Sequence, residues 1–289
     1  MTGGKPALLS RYHTSPLKIA KAFTLRSGER PQLAVVQMDV SPGMLEGDRY
    51  SFDWRLEHGV RLYATNQSYT RVHPCGAGAS RLEMKFDLRR GAVLEWLPEP
   101  VMLFRGARFF SETEIDLAEG ATCVLSDIFC PGRLSRGEAF AFGLYDSKVA
   151  VRYDGELIHY QRQRWEPDRL PLANAGCFGE YTHFGAFSVF SDRVTAELAD
   201  RIRERLNRSE GLPAPGEGDV AGFSGPPRAE GLAWGVARTA KHGLVVQAAG
   251  HAAWRLQKLF LAAWDAVREE ALGMPPLRLL KEAWMGTDA

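Results

Sequence analysis

The chain has 289 residues, of which 45% are hydrophobic and 25% are charged, a composition typical of soluble globular proteins. Its 36 Lys and Arg residues balance 35 Asp and Glu residues, so the net charge of +1 gives no field that would gather nucleic acid or an anionic membrane surface. No apolar run approaches the roughly 18 residues of a membrane span, and no secretory leader is recognisable, so we predict a cytoplasmic protein with reduced cysteines that binds neither nucleic acid nor membrane.

Residues 10–175 are predicted to form a stack of β-strands, because apolar and charged side chains alternate along much of this region. The alternation is clearest in Phe52–Leu56 and in Leu82–Leu88, where every second residue is apolar. Each of these two segments predicts a strand with one face on the core and the other face in water.

Three turns in this region share one pattern: a leucine, two further residues, a glycine and a small apolar residue. They are Leu56–Val60, Leu88–Ala92 and Leu117–Ala121, and Leu25–Gly28 matches the pattern more loosely. The turns recur at intervals of about 30 residues, which favours a β-solenoid whose coils each consist of a strand, a glycine turn and a strand. An irregular β-sandwich is the alternative that the pattern leaves open.

Residues 176–289 follow a different pattern, which predicts a C-terminal β-α-β-β-α portion with two main helices. Residues 211–231 are rich in Gly and Pro and are predicted to form an exposed loop. The other predicted elements are an extended run at Phe178–Phe190, a helix that follows Ser191 and Asp192, strands at Leu232–Thr239 and Leu244–Ala248, and a helix at about residues 250–272.

The common catalytic motifs are missing, since the sequence has no nucleophile elbow, phosphate loop, dinucleotide fingerprint or zinc-protease motif. The remaining candidates are carboxylates in unusual positions. Asp127 alternates with Cys123 and Leu125 on a strand face that we expect to be buried. A buried carboxylate must be paired, hydrogen-bonded or bound to a cation. A structural ion pair with Arg133 or Arg136 is one interpretation.

A second carboxylate, Asp48, ends the turn Ser41–Asp48. Short acidic side chains commonly accept a hydrogen bond from the backbone of their own turn. Taken alone, Asp48 is therefore predicted to cap this turn.

Several stretches together resemble the urease accessory protein family called UreD or UreH, and the resemblance covers roughly residues 10–285. Most specific is the combination of the Leu-Glu-Trp-Leu-Pro string with a Gly-Arg pair and a Gly-Glu pair that follow in order. The resemblance implies a single UreD/UreH-like domain over residues 1–289, mostly β and helically wound. The stretches that carry it are Pro42–Arg49, Thr65, Thr70–Arg71, Leu94–Pro98, Ser126–Phe129, Gly132–Arg133 and Gly137–Glu138.

The resemblance implies a non-enzymatic scaffold without a tightly bound cofactor. Members of the family bind UreF and, through it, the GTPase UreG, and they dock on urease apoprotein to assist nickel delivery. The resemblance also implies an internal route for transient nickel, in which Asp48 and Asp127 match positions associated with the route and Thr70 matches a nearby polar position. Glu138 is expected to have a structural role and to bond near Arg133.

Some positions depart from the family pattern, among them Asn66–Tyr69, which is unlike the common small-residue stretch at that point. Met44 and Glu46 replace residues that are usually Gly, which alters the turn around them and adds a carboxylate. Gln161 stands where some members have an acidic residue, so the resemblance gives this position no clear ligand role.

Three tryptophans near the C-terminus, Trp254, Trp264 and Trp284, are predicted to form part of a partner-binding surface, because they exceed what a modest core needs. The alternative for Trp254, and for Leu261 on the same predicted helix, is that they pack on the protein's own sheet. Two other functions stay open: a β-solenoid hydrolase that uses Asp48 and Asp127 on a polysaccharide, and a structural partner without a metal role.

Overall fold

The computed structural model describes residues 6–27, 30–210, 228–229 and 231–278, which form two large β-sheets and two main helices. The first sheet has the strand order β1-β2-β4-β7-β10-β13-β16-β15-β14, with β8 beside β10 and β5 beside β8, and the second has the order β12-β11-β9-β6-β3. The strands are β1 (Leu17–Ser27), β2 (Arg30–Asp39), β3 (Arg49–Leu56), β4 (Arg61–Asn66), β5 (Thr70–Val72), β6 (Ser80–Leu88), β7 (Val93–Trp96), β8 (Val101–Leu103), β9 (Arg108–Leu117), β10 (Thr122–Cys130), β11 (Leu144–Tyr153), β12 (Glu156–Trp165), β13 (His183–Phe190), β14 (Arg228–Ala229), β15 (Leu232–Arg238) and β16 (Gly243–Gly250).

The chain passes back and forth between the two sheets as a solenoid requires. Strands β2, β4, β7 and β10 are parallel neighbours in the first sheet, and β3, β6, β9 and β11 are parallel neighbours in the second. One row across β3, β6, β9 and β11 consists of Trp54, Phe86, Ile115 and Val151, all buried. The solenoid prediction is confirmed, because successive coils pair in parallel rather than as the antiparallel hairpins of a sandwich.

The repeated turns form one edge of this stack, and their glycines have the left-handed backbone that the pattern predicts. The φ angles of Gly59, Gly91 and Gly120 are +65°, +67° and +69°. Residues with a Cβ are strained in that region. The N–H of Gly59 donates to the carbonyl of Arg90, and the N–H of Gly91 donates to that of Glu119, both at 3.1 Å. Each turn is thus hydrogen-bonded to the next.

The looser fourth match does not belong to this series. Leu25 lies in β1 and pairs antiparallel with Gln32 of β2, and Gly28 lies outside the described residues. The first two strands therefore form a hairpin at one end of the sheet and not a further coil.

Two separate apolar clusters fill the space between the sheets. One lies towards the glycine turns and includes Trp54 and Trp96. The other lies towards the opposite ends of the strands and includes Phe129. Phe52 and Met84 are partly buried and pack against both clusters. The region between the two clusters is less completely filled by side chains.

The C-terminal region packs on the outer face of the first sheet. Helix α1 (Ala196–Ser209) precedes the hairpin of β15 and β16, helix α2 (Ala253–Ala266) follows it, and a π-helical turn (Val267–Ala271) continues α2. Apolar residues of both helices cluster with Val124 and Ile128 of β10. The predicted β-α-β-β-α order is confirmed, with the two-residue strand β14 as an addition before β15.

Some predicted boundaries differ in detail. The strand that was predicted from Phe178 begins at His183. The hydroxyl of Thr195 caps α1 by accepting a backbone N–H, whereas the hydroxyl of Ser191 contacts a neighbouring strand. The predicted loop at residues 211–231 lies almost entirely outside the described residues.

Candidate functional site

A cavity lies between the two apolar clusters and is enclosed by the inner faces of both sheets. About 70 Å³ of it is open to water, which is room for several water molecules. Its wall carries Asp127 from β10, Thr113 from β9 and Ser147 from β11. Small polar side chains at these inward positions leave space that larger apolar side chains would fill.

Two buried polar atoms on this wall lack hydrogen-bond partners among the described residues. They are the amide oxygen Oε1 of Gln37 and the indole Nε1 of Trp96. The first atom accepts hydrogen bonds and the second donates them, so the wall offers one acceptor and one donor to a water molecule or a ligand. An unpaired buried polar group costs about 1–3 kcal/mol. These atoms therefore indicate a hydrated cavity.

Asp127 lies on the inner face of β10, as the alternation predicts, and lines this cavity. The hydroxyl of Tyr145 donates to its Oδ2 over 3.4 Å, which is long for a hydrogen bond between oxygens. Burial raises the pKa of Asp127, and the weak bond from Tyr145 opposes this rise. The carboxylate therefore has little to compensate its charge, and a cation would provide that compensation.

The ion pair considered for Asp127 is not formed. Arg133 lies in the loop after β10 and binds Glu138 through both arms of its guanidinium, with Nε 2.7 Å from Oε2. This hydrogen-bonded contact lowers the pKa of Glu138. Glu138 thus has the contact expected of it, and Asp127 has no ion-pair partner among the residues that the structure describes.

A smaller cavity adjoins the first one at Asp127, with about 20 Å³ open to water. Its wall includes His159 and Gln161 of β12. Burial lowers the pKa of His159, which favours the neutral imidazole whose nitrogen can bind a metal. Asp127 and Tyr145 belong to the walls of both cavities, so Asp127 lies where the two cavities meet.

Asp48 does not reach this junction. It is partly buried, and its Oδ2 accepts the N–H of Leu45 at 2.7 Å, which is the turn cap that the sequence predicts. Asp48 is absent from the wall of either cavity. It lies near Tyr50, a wall residue whose pKa is raised by burial and also by the carboxylates of Asp39 and Asp48. The structure thus brings Asp127, but not Asp48, to the cavity.

Thr70 lines the larger cavity where strands of the first sheet are interrupted. Residues 67–69 separate β4 from β5, and residues 97–100 separate β7 from β8. The backbone N–H of Thr70 donates to the carbonyl of Pro100 at 3.0 Å, which links the two interruptions. Thr70 therefore belongs to the cavity wall, whereas Glu138 does not.

The three tryptophans have different environments. Trp254 is 59% exposed on α2, so it does not pack on the protein's own sheet. Trp264 is 1% exposed, stacks on Tyr63 of the first sheet and donates to Glu95 at 2.6 Å. The surface prediction is wrong for Trp264, because this side of α2 faces the sheet. Trp284 lies outside the described residues.

Some wall residues are not identified by the sequence pattern. Gln37 and Asp39 alternate with Val35 on the inner face of β2, and His159 alternates with Gln161 on β12. The available signal is a strand face that changes from apolar to polar near the end of the strand. That signal is weak, because a polar residue near a strand end usually points to solvent.

The residues that the structure describes contain neither a group of metal ligands nor a membrane-spanning helix. No three of their His, Cys, Asp and Glu side chains are grouped closely enough to hold a metal ion. None of the helices in this part of the chain is long and apolar enough to cross a membrane.

The comparisons with known proteins bear on the whole chain. The model of the family described as UreD urease accessory protein matches residues 1–281. The chain belongs to the UreD urease accessory protein family. It is 32% identical over 259 residues to the urease accessory protein UreD of Acetivibrio thermocellus, covering 90% of each chain. It is 31% identical to that of Haloarcula marismortui, covering 95% of this chain and 85% of the relative, and 24% identical to that of Bacillus cereus, covering 90% and 88%.

Membership of this family does not favour the hydrolase alternative. A glycosidase needs two carboxylates on either side of one substrate bond. Asp48 caps its own turn, and Asp127 lines the cavity between the sheets, so these residues do not form such a pair on one cavity wall.

Proposed function

We propose that this chain is a non-enzymatic scaffold of urease maturation that passes nickel through its interior while it is assembled with other proteins. The observation that supports this best is the position of Asp127, an acidic side chain at the junction of two cavities and without an ion-pair partner among the described residues. The nickel ion is cargo in this proposal, and no covalent step is assigned to any side chain.

The donor groups around Asp127 suit transfer better than storage. Nickel(II) accepts oxygen and imidazole ligands. Near Asp127 the walls offer the hydroxyl of Ser147, the amide of Gln161 and the imidazole of His159. Such sparse donors, completed by water, bind a cation weakly enough to release it. A cage of three or more ionisable ligands would retain the ion, and the described residues contain no such cage.

The raised pKa of Asp127 couples transfer to protonation. Burial raises the pKa of Asp127, and a cation binds the ionised form of this carboxyl group, so proton and cation compete for it. This competition makes cation binding weaker at lower pH.

The proposed partners are UreF, UreG through UreF, and urease apoprotein, in the cytoplasm. Trp254 is the exposed tryptophan that best fits a docking surface within the described residues, because large aromatic side chains supply much of the binding energy at interfaces. The structural role of Trp264 removes it from that surface.

Co-expression tests this proposal. In a host that carries the urease genes without this chain, we expect added wild-type chain to restore urease activity and to co-purify with UreF and UreG. The isolated chain should catalyse no urea hydrolysis. Recovery of the chain as a monomer alone, or full urease activity in its absence, would contradict the proposal. A scaffold without a metal role would restore activity irrespective of Asp127.

A further inference from the structure

Gln37 and Asp39 face the larger cavity from the end of β2. Gln37 is 7% exposed, and its Oε1 has no hydrogen-bond partner among the described residues. Because a buried acceptor of this kind is normally satisfied by water or a ligand, the amide oxygen is free to bind one. Asp39 uses Oδ1 to accept the N–H of Ser41 at 2.9 Å, and it adds a carboxylate two residues from the amide.

Gln37 and Asp127 lie on the same inner face of the first sheet, at the same level along the strands. One row of paired residues crosses β2, β4, β7 and β10, from Val35 to Leu125. Gln37 lies two residues after Val35 in β2, and Asp127 lies two residues after Leu125 in β10. Three strand spacings therefore separate them, which is about 14 Å. The row consists of Val35, Ala64, Trp96 and Leu125.

Gln37 also belongs to a second wall. A groove with about 460 Å³ open to water lies under the N-terminal segment, and it shares Leu17, Gln37 and Phe52 with the inner cavity. The pairing of β1 with β2 shifts register between Ile19 and Ala22, beside Gln37. Such irregularities commonly re-aim side chains next to functional sites. Gln37 therefore lies between the inner cavity and the groove.

The charges that line the groove disfavour a cation site within the groove and favour one in the inner cavity. The groove is lined by Arg11, Lys18 and Arg55, against Asp53, which is paired with Arg55. Excess positive charge disfavours a bound cation there. Asp39 is the carboxylate that lines the inner cavity beside Gln37.

We propose that Gln37 and Asp39 form a second oxygen site for a hydrated divalent cation, and that this site connects the cavity at Asp127 with the groove under the N-terminal segment. The proposal rests on the proposed function. An amide oxygen and a carboxylate oxygen, with water completing the shell, bind a divalent cation weakly and release it readily. The cation then moves between two partly hydrated sites along the first sheet.

Substitution in cells that carry the urease genes at limiting nickel tests the proposal, with nickel bound per urease as the readout. We expect Gln37→Met and Asp39→Asn to lower nickel content about tenfold, as loss of a ligand-shell group does. Gln37→Glu supplies a carboxylate oxygen and should retain nickel delivery. The matched controls, Gln247→Met and Asp116→Asn, change exposed residues on β16 and β9 and should change nothing.

Asp127→Asn, measured in parallel, separates the two proposals. If Asp127→Asn lowers nickel content while Gln37→Met and Asp39→Asn do not, the second site is wrong and the proposed function stands. If none of the three lowers it, both are wrong. Co-purification with the partners shows that each variant is folded. If Gln37→Met is not recovered, Gln37→Glu and Asp39→Asn decide: nickel delivery unchanged in Asp39→Asn overturns the second site.

Discussion

Glu95 and Arg268 form a completely buried ion pair that joins β7 of the solenoid to the π-helical turn after α2. Nη1 of Arg268 lies 2.7 Å from each carboxylate oxygen of Glu95. The indole of Trp264 and the amide of Gln32 also donate to this carboxylate. Glu95 belongs to the Leu-Glu-Trp-Leu-Pro string, so this family-like motif fixes the C-terminal helices on the first sheet.

Removal of one partner of this pair is expected to destabilise the fold. Arg268→Met should lower the free energy of unfolding by about 3–5 kcal/mol, because it leaves a buried carboxylate without its cation. Replacing both residues with apolar side chains, as in Glu95→Leu with Arg268→Met, should recover part of the loss. Urea unfolding measures both. As control, Arg49→Met breaks an exposed pair with Glu83 and should cost at most about 1 kcal/mol. Equal effects for Arg268→Met and Arg49→Met would refute this role.

Trp254 and Trp264 are expected to separate binding from stability. Trp264→Ala should cost about 3–5 kcal/mol in the free energy of unfolding, because it empties a packed site. Trp254→Ala should leave unfolding within about 0.5 kcal/mol of wild type but weaken binding to the UreF complex by about 2 kcal/mol. Tyr160→Ala removes another exposed aromatic residue, on β12, and serves as control. Unchanged binding by the Trp254 variant would exclude it from the docking surface.

The stability of the second sheet is expected to depend on pH through Asp146. This carboxylate is 2% exposed, and its pKa is lowered mainly by hydrogen bonds from Arg162 and further by Arg164. A lowered pKa stabilises the fold above the ordinary pKa of about 3.9, and this contribution is lost as pH falls through the lowered value. The difference in free energy of unfolding between wild type and Asp146→Asn should therefore be constant near neutral pH and shrink below about pH 4. Asp116→Asn changes an exposed carboxylate on β9 and serves as the control. A difference that stays constant in acid would contradict the account.

A side chain at the left-handed positions of the glycine turns is expected to lower the stability of the fold. Gly91→Ala should cost about 1 kcal/mol of stability, purely through backbone strain, because no other atom lies within 4 Å of the added Cβ. Gly235 has equally open space but no positive φ, so Gly235→Ala should be neutral or slightly stabilising. Thermal unfolding of the two variants measures the difference. Similar losses in both would show that the turn conformation does not constrain residue 91.

Much of the solenoid follows from local patterns. The alternation in Leu82–Leu88 and the repeated glycine turns depend on neighbouring residues alone, so they are visible in one sequence. The looser match that begins at Leu25 does not start a further coil, because Leu25 lies in β1 and pairs antiparallel with Gln32 of β2. The pairing of Glu95 with Arg268 could not be predicted, since it depends on how α2 lies across the first sheet.

The candidate site was predicted only in part, for a similar reason. Alternation places Asp127 on an inner face, and its burial follows from its neighbours Cys123 and Leu125. The cavity itself depends on small polar residues of different coils that lie close together between the sheets. These residues are far apart in the sequence, so the sequence pattern does not reveal that they are neighbours. Gln37 was not predicted as a site residue, because a glutamine near the end of a strand usually points to solvent. Its role depends on the cavity wall, which the sequence does not show.

Asp127→Asn provides the most direct test of nickel passage. The substitution keeps the size of the side chain and removes a carboxyl group that has no ion-pair partner among the described residues, so it should leave the fold at least as stable as wild type. Nickel bound per urease should be measured in cells grown at limiting nickel, together with the amount of the chain recovered with its partners. We expect about a tenfold loss of nickel with the complex intact. Full nickel content with an intact complex would contradict the account and leave a scaffold without a metal role.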